Sequence, residues 1–246
     1  MKSFKADYVF PVCADPIKNG IVTVDDAGKI VAIASQSSPP ADVPLEQSSG
    51  IICPGFINTH CHLELSHLKD KVKQHTGLVN FIMDVQKLRG ADTGLVADAA
   101  RAAENEMIEN GIVAVGDISN TNITIPIKTA GKLHYHSFIE MFAFLPSQAE
   151  ETFQKAVDLL REFKPLSSSL TPHAPYSVSK ELFKLIKNIR MPGKISSAST
   201  TRNARTKINF TGTSRAALSI CTNHLASISG ILNRWREIPY NPSFRC

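Results

Sequence analysis

Two histidines one residue apart, His60 and His62, give the chain its strongest chemical signal; they lie in the string Gly55-Phe56-Ile57-Asn58-Thr59-His60-Cys61-His62-Leu63-Glu64-Leu65-Ser66-His67-Leu68. In an extended strand, residues i and i+2 point to the same face, so both imidazoles reach one point in space. Neutral imidazole suits zinc and other borderline divalent ions, and a catalytic zinc takes three or more protein ligands plus a water. The same pair also reads as two hydrogen-bonded histidines at a strand end. Cys61, pointing the other way, reads as a small core residue and not as a ligand. A second signal is Thr171-Pro172-His173-Ala174-Pro175-Tyr176-Ser177. Prolines on both sides of His173 restrict its backbone, and function in α/β barrels gathers at the carboxyl ends of strands. Alone, His173 reads first as a residue that caps the next helix or satisfies a loop.

Both signals need strands to carry them. Residues 4–52 hold short β-prone runs, Tyr8–Val12, Ile21–Val24 and Lys29–Ala34, separated by the turn signals Lys18-Asn19-Gly20 and Asp25-Asp26-Ala27-Gly28. They predict a small antiparallel unit, followed by a Ser- and Pro-rich loop over Ser35–Pro44. From residue 51 the rhythm changes. Ile51–Thr59 is a mostly apolar run with a polar end, as in a buried parallel strand. Leu78, Phe81, Ile82, Val85 and Leu88 recur at helical spacing, and a second helix is predicted from Thr93 to Asn110 with Gly111 at its left-handed end. Ile112–Val115, Leu133–Phe144 and Ser168–Pro172 are the next strands. Between them, Ser147-Gln148-Ala149-Glu150 has the form of a capping box before a helix with Phe153, Ala156, Val157 and Leu160 on its apolar face. Leu182, Leu185, Ile186 and Ile189 mark a fourth helix. This alternation specifies an α/β fold with a parallel sheet, either half of an eight-stranded barrel or an open doubly wound sheet. No Gly-rich phosphate loop follows the first strand.

The chain has 246 residues, 43% apolar and 20% charged, which is ordinary globular usage and argues against disorder throughout. No run approaches the roughly 18 apolar residues of a membrane-spanning helix, and the start lacks a secretory signal, so the expected compartment is the cytoplasm without a membrane. Cys13, Cys53, Cys61, Cys221 and Cys246 are scattered and odd in number, which points to reduced thiols. The formal charge of +5 is confined to one segment: residues 195–246 carry seven Lys or Arg against the single acid Glu237. That segment contains no Val, Asp or Gln and holds no helix or strand period. It reads either as a basic tail or as the product of a shifted reading frame. With allowed codons, the alternate frame spells Ser-Ile-His-Asn-Gln-Glu and then an amphipathic string, which one base lost, or two gained, near Ile195–Ser197 would explain.

Together, the N-terminal strands, the Pro54-Gly55-Phe56-Ile57-Asn58 to His62 string and His173-Ala174-Pro175-Tyr176-Ser177 resemble the amidohydrolase superfamily. The likeness is to the branch with cytosine, guanine and S-adenosylhomocysteine deaminases and the triazine chlorohydrolases, and it spans residues 5–193. The HCHLELSHL string also looks like the deaminases acting on aminofutalosine. The resemblance implies a metal-dependent hydrolase with a (β/α)8 TIM barrel. Residues 1–52 would belong to a small β-sandwich, 53–194 would form the first half of the barrel, and 195–246 would be a poorly ordered tail. One divalent metal, zinc first and iron second, is implied at His60 and His62. Substrate contact is implied at His173, and Glu64 sits where a side chain near the ligand is plausible. A strand-five histidine with a glutamate, a strand-six histidine and a strand-eight aspartate should follow, but His224 is the only later histidine and lacks such a context. The alternate frame places its His-Asn-Gln-Glu where the strand-five elements belong. The expected function is hydrolytic deamination of a small, purine-like aminated heterocycle, weak or absent in a chain with an incomplete barrel. An open sheet edge would favour homo-oligomers. The competing class, ranked lower, is a noncatalytic half-barrel that binds a partner while its tail touches nucleic acid or an anionic surface.

Overall fold

The computed structural model describes residues 1–35 and 43–188. The tail at 195–246, the predicted frame shift near residue 195 and Ile189 of the fourth helix lie outside the described residues. Contacts divide the chain between Gly55 and Phe56 into two units.

The first unit contains β1 (Lys2–Lys5), β2 (Tyr8–Val9), β3 (Ile17–Lys18), β4 (Gly20–Val24), β5 (Ile30–Ser35), β6 (Leu45–Gln47) and β7 (Ile51–Ile52). They form two sheets, ordered β5-β4-β1-β6 and β3-β2-β7. The neighbouring pairs β1–β4, β4–β5 and β2–β3 are antiparallel, while β6 and β7 return to pair in parallel with β1 and β2. The unit is therefore mixed, not antiparallel as local turn signals predict, because those signals report only adjacent strands. Gly20 is required by close approach: a Cβ there would meet Val9 Cγ2 at 2.6 Å.

The second unit follows the βα rhythm with β8 (Phe56–Cys61), α1 (Leu78–Leu88), α2 (Thr93–Glu109), β9 (Ile112–Ser119), α3 (Ile125–Thr129), β10 (His134–Met141), α4 (Ala149–Glu162), β11 (Ser168–Pro172) and α5 (Lys180–Lys187). The four strands are parallel and lie in the order β8-β9-β10-β11. Spatial order that follows chain order is that of a barrel wound in one direction; a doubly wound sheet would reverse about its first strand. Four strands make a partial barrel.

Helix ends follow their sequences. Asp92 caps α2 by accepting from Gly94 N and Leu95 N, and Gly111 ends it at φ 75°. Ser179 caps α5 through Leu182 N. Two expectations need correction. Pro54-Gly55 splits the predicted Ile51–Thr59 strand, sending Ile51–Ile52 to one sheet and Phe56–Cys61 to another. No capping box forms at Ser147, because a 3-10 turn over Pro146–Gln148 precedes α4 and Gln148 makes no side-chain cap. The core lies on the helix side of the sheet, where Ile139, Met141 and Leu170 meet Ala156, Val157, Leu182, Ile186 and Phe163. Each large side chain buried here contributes about 1.5–3 kcal/mol.

Candidate active site

Side-chain alternation sorts the strand residues onto two faces. Ile139 and Met141 enter the core against α4 and α5, so Phe138 and Glu140 face the opposite side of β10. Leu170 does the same on β11 and leaves Thr171 on the opposite side. On β8, Cys61 packs toward Leu63, Ala100 and Ile127 beside α2 and α3. Burial pushes the Cys61 thiol up to about 12, which suits the inert core residue its position in the strand predicts.

His60 and His62 flank Cys61, and their rings stand edge to face with centroids 5.2 Å apart. Burial, followed by the neighbouring His60, holds His62 down to about 4, so it is neutral with a lone pair available at neutral pH. Its Nδ1 is buried and has no hydrogen-bond partner. Two adjacent imidazoles, one carrying an orphaned buried nitrogen, are donors of the type a divalent ion such as zinc takes and could supply two of its ligands. Among the described residues, no group of three or more His, Cys, Asp or Glu is placed to hold a metal.

A 3-10 turn over Leu63–Leu68 follows the pair and is anchored from β9. Leu63 N donates to Asp117 Oδ1 at 2.8 Å. Asp117 in turn pairs with Lys128 Nζ at 2.6 Å. Glu64 lies in this turn, and its carboxylate accepts from Asn120 N at 3.2 Å, Thr121 N at 3.0 Å and Thr121 Oγ1 at 2.7 Å. Burial raises its pKa against these bonds. Glu64 therefore ties the HxH turn to the loop after β9, with its oxygens already occupied by donors of the chain.

His173 follows β11. Its N–H donates to Met141 O at 2.9 Å, which extends the ladder from β10 beyond Pro172. Its Nδ1 lies 2.6 Å from Ser177 Oγ. That hydroxyl also lies 2.9 Å from Ala174 O and accepts from Ala174 N at 3.2 Å, and it has one proton to share between Nδ1 and Ala174 O. When that proton goes to Ala174 O, Nδ1 is the donor and the lone pair stands on Nε2. Burial and then the charge of His60 lower the His173 pKa, so the His60, His62 and His173 rings share one electrostatic neighbourhood.

Glu140, at the end of β10, has no counterpart among the residues that the sequence points to. Burial, opposed by Asn120 and reinforced by Glu64, lifts its carboxyl to about 7. The signal is visible afterwards as a lone charge inside the apolar run Phe138-Ile139-Glu140-Met141-Phe142.

A model of the amidohydrolase family matches residues 51–206. A 5'-deoxyadenosine deaminase of Methanococcoides burtonii is 26% identical over 184 residues, covering 70% of this chain and 42% of the relative. Among solved structures, the aminofutalosine deaminase of Helicobacter pylori in complex with methylthio-coformycin aligns with TM-score 0.60 and 22% identity, covering 82% of this chain and 51% of that one. An adenosine deaminase from Xanthomonas campestris with bound zinc aligns with TM-score 0.57 and 21% identity, covering 75% of this chain and 45% of that one. The chain spans about half the length of these proteins.

Proposed function

The chain belongs to the amidohydrolase family, and on that footing we propose that it is built for hydrolytic deamination of a small aminated heterocycle of the purine type. The observation that carries this reading is the His60–His62 pair at the carboxyl end of the first barrel strand, rings 5.2 Å apart and His62 neutral. His60 and His62 would hold one divalent ion, zinc by preference, as in the zinc-bound adenosine deaminase of similar fold. Such an ion supplies Lewis acidity and brings a water's pKa toward about 7.

The remaining steps fall to the chain itself. His62 stays unprotonated at neutral pH and keeps its lone pair for a ligand. Glu64 holds the HxH turn in register with the loop after β9. His173, donating from Nδ1 to Ser177, turns the Nε2 acceptor to the substrate, where it suits a ring N–H or an exocyclic amine. A carbon that bears an amine beside a ring nitrogen is open to addition by water, after which ammonia leaves and a carbonyl forms. The chain contributes two of the three or more ligands that a catalytic zinc takes, so its own turnover is expected to be weak or absent.

Zinc uptake by the full chain, measured by calorimetry, tests the reading, with ammonia release from 5'-deoxyadenosine as a second readout. Uptake that His60→Ala and His62→Ala each abolish is expected. Uptake unaffected by either substitution would overturn the metal assignment and the enzymatic reading with it.

A further inference from the structure

The amide that follows the histidine pair has to be satisfied outside the sheet. β8 ends at Cys61, Leu63 is wholly buried, and a buried N–H needs an acceptor. It finds one in a side chain, Asp117 Oδ1 at 2.8 Å. That N–H belongs to the peptide unit joining His62 to Leu63, whose orientation follows the His62 ψ. At 75°, this ψ lies outside the extended range of about 100–180°. The chain thus leaves the strand at the second histidine, and Asp117 fixes the angle at which it leaves.

Strand pairing alone does not aim the histidines. The β8–β9 register runs from Asn58 opposite Val115 to Cys61 opposite Asp117, three steps along β8 against two along β9. One extra residue therefore interrupts the alternation where His60 stands, and such interruptions re-aim side chains. His60 N–H donates within its own strand, to Asn58 Oδ1 at 3.3 Å.

Asp117 has 0% side-chain exposure, so whatever it does for a ligand it does through another residue. Both of its oxygens are used. Oδ1 serves the Leu63 amide, while Oδ2 takes Lys128 Nζ at 2.6 Å and Ser119 Oγ at 3.1 Å, which keep the carboxylate turned. Exchanging a buried ion pair for well-packed apolar groups is often neutral or stabilising. Stability alone therefore gives no reason to enclose two charges here, whereas the service to the Leu63 amide does.

We propose that Asp117 is a positioning residue for the histidine pair: by holding the His62–Leu63 peptide it sets the mutual placement of the His60 and His62 rings, and with it the affinity for a divalent ion that it never touches. This rests on the metal reading above and adds the residue that aims the ligands.

The test is zinc binding to the full chain by calorimetry, with melting curves alongside. The double variant D117L/K128M fills the same space without charge, and is expected to bind zinc at least about tenfold more weakly than wild type. L182A empties part of the core between the sheet and α5, far from the histidines in sequence, and is expected to melt earlier yet bind zinc within about twofold of wild type. Wild-type affinity in the double variant, or an equal loss in L182A, overturns the assignment while the metal reading stands. Absence of zinc uptake by wild type overturns both. Hydrogen exchange in the metal-free wild type decides the question even if the double variant does not fold. The Leu63 amide is expected to exchange at least about a hundredfold more slowly than a free amide, and exchange at the free rate overturns the proposal.

Discussion

The two faces of the parallel sheet treat charge in opposite ways. On the helix side, Lys128 and Asp117 are wholly enclosed, each with 0% side-chain exposure, yet every need is met. Lys128 Nζ donates to Ser119 and Ser137 at 2.9 Å and lies over the Phe163 and Tyr135 rings at 4.9 and 5.6 Å. On the other face, His62 keeps an orphaned nitrogen and Glu140 a single long contact. A satisfied network specifies and rigidifies a core, whereas an unsatisfied one leaves polar groups open to water or to a bound molecule. The first arrangement positions the second, because Asp117 also holds the Leu63 amide and so aims the turn that follows the histidines.

This contrast can be broken most sharply at Lys128. Lys128→Met would leave Asp117 buried and uncompensated, and is expected to lower unfolding free energy by about 3–5 kcal/mol in denaturant titrations. A loss under about 1 kcal/mol would mean that the pair is not the keystone of its face. Gly116→Ala comes next. Its Cβ would lie 2.9 Å from Thr59 O and 3.2 Å from Phe138, forcing β8 away from β9. Destabilisation of about 1–3 kcal/mol is expected, together with weaker zinc uptake because the histidines ride on β8. Unchanged uptake in a destabilised variant would separate packing from positioning.

The smallest effect belongs to Glu140 and depends on pH. An acid whose pKa is raised in the folded state holds its proton more tightly there. Its stabilising share is complete below the ordinary 4.5 and is lost as pH rises through about 7. Wild type should therefore lose stability across that interval relative to Glu140→Gln, in paired melts at pH 4.5, 6 and 8. Parallel curves for the two proteins would show that the carboxyl is not held under strain.

How far the sequence could be read depended on the range of each interaction. The histidine pair was legible because the period-two rule acts over two residues and needs no partner. The parallel sheet followed from strand-helix alternation, a pattern local to each unit that left the strand order open between a half barrel and a doubly wound sheet. The parallel return of β6 and β7 was not legible, since it depends on pairing with strands some 40 residues earlier. The short α3 and the turn at Leu63–Leu68 span too few residues for periodicity to register. In α1 the period is legible and the burial is not: Val79 is 71% exposed and the helix buries no residue. Glu140 escaped because a charge within an apolar strand looks like an interruption until its neighbours are known. Glu64 was legible only as a nearby carboxylate, and its donors lie more than 50 residues away.

Ser177 has a consequence for inhibitor chemistry. Its hydroxyl has one proton within reach of both Ala174 O and His173 Nδ1, so a change of tautomer at the imidazole requires that proton to turn away from Ala174 O and give up the 2.9 Å bond. A compound offering only an oxygen or an unprotonated nitrogen at that point would bring two lone pairs into opposition. One carrying N–H or O–H there would dock without rearrangement, so the serine filters ligands from behind the histidine.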